Sequence, residues 1–189
     1  MSGENPSVLD VLIRAYEESN GEYVDMVVEH GELPGITMEH LEWWGTHMND
    51  PVNYKMWHPK DHISHRVERV TDKDGNVVSF MYAEESIGDY TASVLRLRLE
   101  DPDSAPVQQV YKPLASSTSL GPNDEVLGGV YHEYEPTPNG IIMRSTFRLP
   151  AKTPNKLLDA MYEHSKTEMG NFPKFLPGLY AKYKASGNT

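Results

Sequence analysis

The most restrictive feature of this sequence is its second half, a run of hairpin patterns that closes on one amphipathic helix pattern. HISHRVERV, from residue 62, runs into Asp72-Lys73-Asp74-Gly75-Asn76, and VVSFMYAEE returns, a hairpin by its turn chemistry. In TASVLRLRLE, Leu95, Leu97 and Leu99 alternate with Arg96 and Arg98, as in a half-solvated antiparallel strand. Strands at 126–135 and 141–149 are joined by Thr137-Pro138-Asn139-Gly140. Thr153 as N-cap and Pro154 in the first turn then open a helix running to about 169, with Gly170 and Pro173 as its stop. Strands joined by hairpins need no crossover helices, so the last helix must bury its apolar stripe against the sheet.

The first third is helical in pattern. Val8, Val11, Leu12 and Tyr16 share one helix face, between the start Asn5-Pro6-Ser7 and the stop Asn20-Gly21. A second short helix begins at Thr37, with Trp43 and Trp44 as packing anchors. Residues 101–125, rich in Pro, Ser and Asp, read as one long irregular connection. The expected architecture is α+β, a curved antiparallel sheet around a long C-terminal helix, with N-terminal helices. Residues 1–50 form a helical segment packed on a domain of residues 51–185.

Composition removes several function classes. Cysteine is absent, which excludes disulfides, thiolate metal sites and cysteine nucleophiles, so any metal must be held by His and carboxylates. With 28 acidic against 17 basic residues the net charge is −11, which argues against nucleic acid and anionic membrane surfaces as partners. No apolar run approaches the roughly 20 residues of a membrane helix, and no basic region precedes the first apolar residues as in a signal peptide. The one Asn-x-Ser/Thr triplet, Asn5-Pro6-Ser7, is blocked by proline. A cytoplasmic protein is expected.

Three clusters could carry chemistry. At about 100° per residue, Leu157, Met161, His164 and Glu168 fall within roughly 60° of the helix wheel, so His164 and Glu168 point inward with the apolar anchors. A His and a Glu four apart can ligate one metal, or can simply hydrogen-bond each other. NYKMWHPKDHISH gathers Tyr54, Trp57, His58, Asp61, His62 and His65 where the chain enters its first hairpin. In Glu84-Glu85, alternation from Val78, Phe80 and Tyr82 turns Glu84 inward, while a strand-end bulge would select Glu85. Tyr131, His132 and Tyr134 could line a pocket for an aromatic ligand, or be core residues. There is no His-Glu-x-x-His, Gly-x-Ser-x-Gly elbow, Walker loop or Gly-x-Gly-x-x-Gly, so serine hydrolases and nucleotide enzymes lose their main support.

ITMEHLEWW at 36–44, YKMWHPKDHISH at 54–65 with AEESIG at 83–88 behind it, and LLDAMYEHSKTEMGNF at 157–172 together resemble one family. It is the diacetylphloroglucinol hydrolase and phloretin hydrolase group. The resemblance implies a helix-grip fold like that of Bet v 1 and START domains, with a cavity between a curved sheet and the last helix. It implies one zinc per chain, held by His62, Glu85, His164 and Glu168. His62 is preferred to His58 because Tyr54 then stands where the family has a tyrosine that binds a substrate hydroxyl. The Glu-x-Ile-Gly spacing favours Glu85 over Glu84. His65 falls where diacetylphloroglucinol hydrolase has a polar amide on the substrate, a departure that leaves the particular substrate open.

The implied reaction is hydrolysis of the carbon–carbon bond between an acyl group and a phenolic, polyketide-type ring. Tyr54 and His65 would manage a ring hydroxyl and its proton, with His132 or Tyr131 acting from across the cavity. Two rivals use the same cavity: another metal-assisted step (a cyclisation, retro-Claisen cleavage or isomerisation), or non-catalytic binding of small aromatic ligands. The state of assembly, a homodimer included, is open.

Overall fold

A computed structural model describes residues 5–187. The first helix, α1 (Val8–Ser19), begins where Ser7 accepts from the Asp10 backbone and the Asp10 carboxylate answers the Ser7 backbone. It ends where Asn20 and Gly21 turn to φ of 51° and 81°. Next comes β1 (Tyr23–Pro34), which corrects the reading of residues 1–50 as helical throughout. A β-bulge between Glu29 and Gly31 breaks its alternation, which hides the period-2 signal from the sequence. Helix α2 (Met38–His47) is capped by Thr37, with His40 returning the bond. The short helix α3 (Pro51–Trp57), absent from the expectation, starts where Asp50 accepts from the Val52 and Asn53 backbone ahead of Pro51.

The remaining strands are β2 (His62–Thr71), β3 (Val77–Glu85), β4 (Ser93–Glu100), β5 (Lys112–Leu120), β6 (Val126–Pro136) and β7 (Gly140–Pro150). They form one antiparallel sheet of seven strands, ordered β1-β7-β6-β5-β4-β3-β2. β1 and β2 are its two edges, so α2 and α3 carry the chain from one edge to the other. β5 corrects the reading of 101–125 as irregular. KPLASSTSL has little apolar alternation, yet Ser116 and Ser117 are buried and the strand is paired on both sides. The stretch before it, apart from a short 3-10 turn at Pro102–Ser104, is irregular, and the carboxylate of Glu133 straps it to the outer face of the sheet through the backbone of Val110 and Tyr111.

The last helix, α4 (Asn155–Ala185), starts at Asn155 without a side-chain cap and runs through Gly170, Pro173 and Pro177. The expected stop near 170 is therefore a continuation. Each internal proline costs about 3 kcal/mol, but burying a large apolar side chain is worth roughly 1.5–3 kcal/mol. Met169, Phe172 and Leu176 are buried against Leu33, Ile36, Leu41, Trp44, Ile141 and Met143. A second cluster joins Val8, Val11, Leu12, Val28, Phe147, Leu149, Leu157 and Met161 at the helix's other end. His164 and Glu168 fall on α4 between the two clusters.

Candidate metal centre and active site

A cavity of about 470 Å³ lies between the sheet and α4. Its wall is largely apolar (Met81, Leu95, Leu97 and Leu99 among others), and several of the polar groups in it lie together at one place. His62 opens β2 and pairs in register with Glu85, the last residue of β3, while His164 and Glu168 come down from α4. His62 Nε2 stands 2.9 Å from Glu168 Oε1 and 3.6 Å from Glu85 Oε1. His164 Nε2 stands 3.4 Å from the same Glu168 oxygen and 3.6 Å from Glu85 Oε2. All four residues are buried.

The far sides of both rings are fixed. His62 Nδ1 donates to the Tyr54 carbonyl at 3.0 Å, and His164 Nδ1 donates to Asp61 Oδ2 at 3.0 Å. With Nδ1 protonated in each ring, both Nε2 lone pairs aim at the glutamates. Buried His62 Nε2 approaches Glu168 without the alignment of a hydrogen bond, a polar atom that a cation would satisfy. Two imidazoles and two carboxylates suit a divalent ion, so these buried groups can hold a metal. A neighbouring group, His58, Asp61 and His164, also has its ligand atoms close together. His58 and Asp61 do not line the cavity, whereas Glu85, His164 and Glu168 do.

The electrostatics agree with charge stored in the cluster. Burial pushes the Glu168 carboxyl up, but His164 and His62 outweigh it and hold it well below the usual range. Burial pulls both imidazoles down, and the carboxylates overcome it: His62 is raised, chiefly by Glu168, and His164 is raised well above its ordinary value by Glu168 and Asp61. The Tyr54 hydroxyl donates to Glu85, and burial together with that carboxylate raises the phenol. Its ring stacks on His62 at 4.0 Å, with His65 at 4.9 Å on the same ring. His65 is buried, neither of its nitrogens has a partner among the described residues, and burial lowers it to about 4.

Each expected site residue thus has a definite place. Tyr54, His65, Glu85, His132, His164 and Glu168 line the cavity, and His62 stands behind its wall against Glu85 and Glu168. Glu84 is not, since its carboxylate accepts from Ser64 on the outer face. The alternation read from Phe80 and Tyr82 is inverted, because Met81, Ala83 and Glu85 face inward while Arg66 lies 3.7 Å over the Tyr82 ring. Tyr131 is likewise corrected. Neighbours on a strand face opposite sides, so His132 lines the cavity and Tyr131 lines an outer depression with Tyr23 and Arg148. Trp44 packs against Trp57, Phe172 and Phe175 and also lines the cavity, so it is more than an anchor. Sequence reasoning noticed Asp61 only as a neighbour of the histidines, and it missed His30 and Ser145.

The pattern of the DAPG hydrolase PhiG domain family matches residues 17–181. The chain belongs to that family. The match spans every strand of the sheet and all the cavity polar groups just described, so the chain carries a hydrolase domain of the type named for phloroglucinol compounds. No curated protein matches. Among solved structures, the solution NMR structure of a protein from Arthrobacter aurescens is similar at 11% identity and a TM-score of 0.42, covering 82% of this chain and 88% of that one. Among the described residues, no helix is long and apolar enough to cross a membrane.

Proposed function

We propose that this chain is a zinc-dependent hydrolase that cleaves the carbon–carbon bond between an acyl group and a phenolic ring, in a helix-grip cavity. The observation that carries this reading is the convergence of His62 Nε2 and His164 Nε2 on Glu85 and Glu168 in the wall of an apolar cavity. Those four residues would hold the ion. Bound there, zinc supplies a Lewis acid for an acyl carbonyl and activates water near neutral pH.

The other groups serve the ring. The apolar walls take the aromatic face and exclude bulk water. Tyr54 reaches Glu85 in the resting site, and a ring hydroxyl placed beside it can exchange into that hydrogen bond. His65, buried with both nitrogens unpartnered, is positioned to bind a second ring oxygen as a neutral imidazole. The ring carbon can leave only once it carries a proton, which makes the ring a keto tautomer able to accept the bond's electrons, and His132 supplies that proton from the sheet side.

Elemental analysis of the purified protein, followed by a panel of acylphenols, tests the reading. About one zinc per chain is expected, with equal amounts of carboxylic acid and deacylated phenol released. Absence of metal together with no zinc uptake would overturn it, as would a product of unchanged mass, the mark of an isomerase.

A further inference from the structure

His132 does not stand alone. Its Nδ1 lies 2.8 Å from Ser145 Oγ on β7, and the same oxygen lies 2.8 Å from His30 Nε2 on β1. Ser145 is fully buried. His132 Nε2 makes no hydrogen bond among the described residues, and its ring lines the cavity. His30 falls between Glu29 and Gly31, so it is the extra residue of the β1 bulge, and Gly31 takes φ 68° there. Bulges re-aim a side chain, and this one sets His30 on β1 against Ser145 on neighbouring β7, with His132 one strand further on β6.

We propose that His132, Ser145 and His30 form a proton relay between the cavity and the β1 edge of the sheet, with His132 as the group that meets substrate and Ser145 and His30 as positioning residues. The proposal rests on the reading of His132 as proton donor to the ring. A serine hydroxyl has one proton to give and two lone pairs, so it links two imidazoles into a relay only when one of the nitrogens facing it is protonated and the other bare. Burial lowers both rings, His30 to about 4, so both are neutral at pH 7. His30 Nδ1 is buried without a partner. A bare ring nitrogen there is the cheaper state, because orphaned N–H groups are the rarer ones in proteins. His30 Nε2–H then donates to Ser145, Ser145 donates to His132 Nδ1, and His132 Nε2–H faces the cavity.

The proton count closes. In hydrolysis one water oxygen joins the acyl carbon, and the ring carbon takes one proton in its place. That proton leaves His132 Nε2, the Ser145 proton moves to His132 Nδ1, and the His30 Nε2 proton moves to Ser145. One proton from solvent then enters at His30 Nδ1, which is buried at rest in a ring that is only partly covered, so a small opening of the β1 edge has to admit water to it. The second proton of the attacking water resets the chain by entering at His132 Nε2 while one leaves at His30 Nδ1.

Imidazole nitrogen NMR on the whole protein without substrate tests the relay apart from any activity. Complementary tautomers on the two nitrogens that face Ser145 are expected. Two protonated nitrogens, two bare ones, or a charged ring at pH 7 would overturn the relay. Kinetics supply the second test. His30→Gln keeps a donor to Ser145 but cannot pass a proton through the ring. It should lose at least tenfold in kcat, within the roughly 10²–10⁴ range of acid–base catalysis, with KM, metal content and Tm unchanged. Ser145→Ala should lose as much, and the double variant no more than either. A His30→Gln rate within twofold of the parent, or losses that multiply in the double variant, would reject it. A parent protein that cleaves no acylphenol sinks the functional reading instead, and the NMR result still decides the relay.

Discussion

Asp61→Asn separates the two metal groups that share His164. Asp61 is buried, its Oδ2 is 3.0 Å from His164 Nδ1 and 3.6 Å from His58 Nε2, and the two histidines and Lys60 hold its carboxyl low despite burial. As an anion it keeps the His164 proton on Nδ1, so that Nε2 stays bare towards Glu85 and Glu168. Asparagine has the same shape, and its amide oxygen can still accept from Nδ1. What is lost is the charge that raises ligand basicity. Loss of such a partner typically weakens metal binding about 10–100-fold, which is about 1.4–2.7 kcal/mol. Competition against a chromophoric chelator reads that range directly. An affinity within threefold of the parent would show that Asp61 does not orient His164. Complete loss of the ion in Asp61→Asn, with binding retained in His62→Ala, would place the metal among His58, Asp61 and His164 and refute the assignment outright. The geometry favours the set of His62, Glu85, His164 and Glu168, because three of its four members line the cavity where a substrate can reach the ion, against His164 alone in the other group.

The same cluster makes two further predictions. In metal-free protein His62 and His164 are raised, so their contribution to stability is complete below their ordinary value of 6.5 and fades as pH rises through the folded values. Glu168 is lowered, so its contribution is present above 4.5 and fades as pH falls through its folded value. The melting temperature in chelator should therefore peak between those two values, and zinc should raise it most on the alkaline side, where both imidazoles are bare; a metal-free Tm still climbing from about pH 7 to 9 would contradict the scheme. Second, Glu85→Ala should strip the metal, whereas Glu84→Ala, whose carboxylate meets Ser64 outside, should leave metal content unchanged; the opposite pattern by elemental analysis would reverse the inward phase of β3.

Local chemistry was legible where a few residues decide the structure. The start at Ser7, the start at Thr37 and the Asn20-Gly21 stop are settled by contacts within one turn, and each appears where the sequence puts it. The His164 and Glu168 face was legible for the same reason, since helix geometry is fixed by local bonds. β1 and β5 were not legible: neither carries a clean alternation, and β1 pairs only with β7, far away in sequence. The continuation of α4 past Pro173 and Pro177 is likewise a tertiary effect, held by Phe172 and Leu176 against residues from β1, α2 and β7.

The inverted phase of β3 has a more instructive cause. Alternation arguments assume that large apolar side chains mark the inner face, yet a sheet that encloses a cavity must leave space on that face. Inside β3 the positions nearest the His/Glu cluster are Ala83 and Glu85, one small and one carrying a carboxylate towards His62. The bulky Phe80 and Tyr82 are displaced outward, where the guanidinium groups of Arg96 and Arg66 cover their rings. The same inversion separates Tyr131, turned outward, from His132, turned in. Where a sheet builds a binding site, the small and polar residues carry the inward phase. Here that phase places Glu85 across from His62, and His132 within reach of Ser145 and His30.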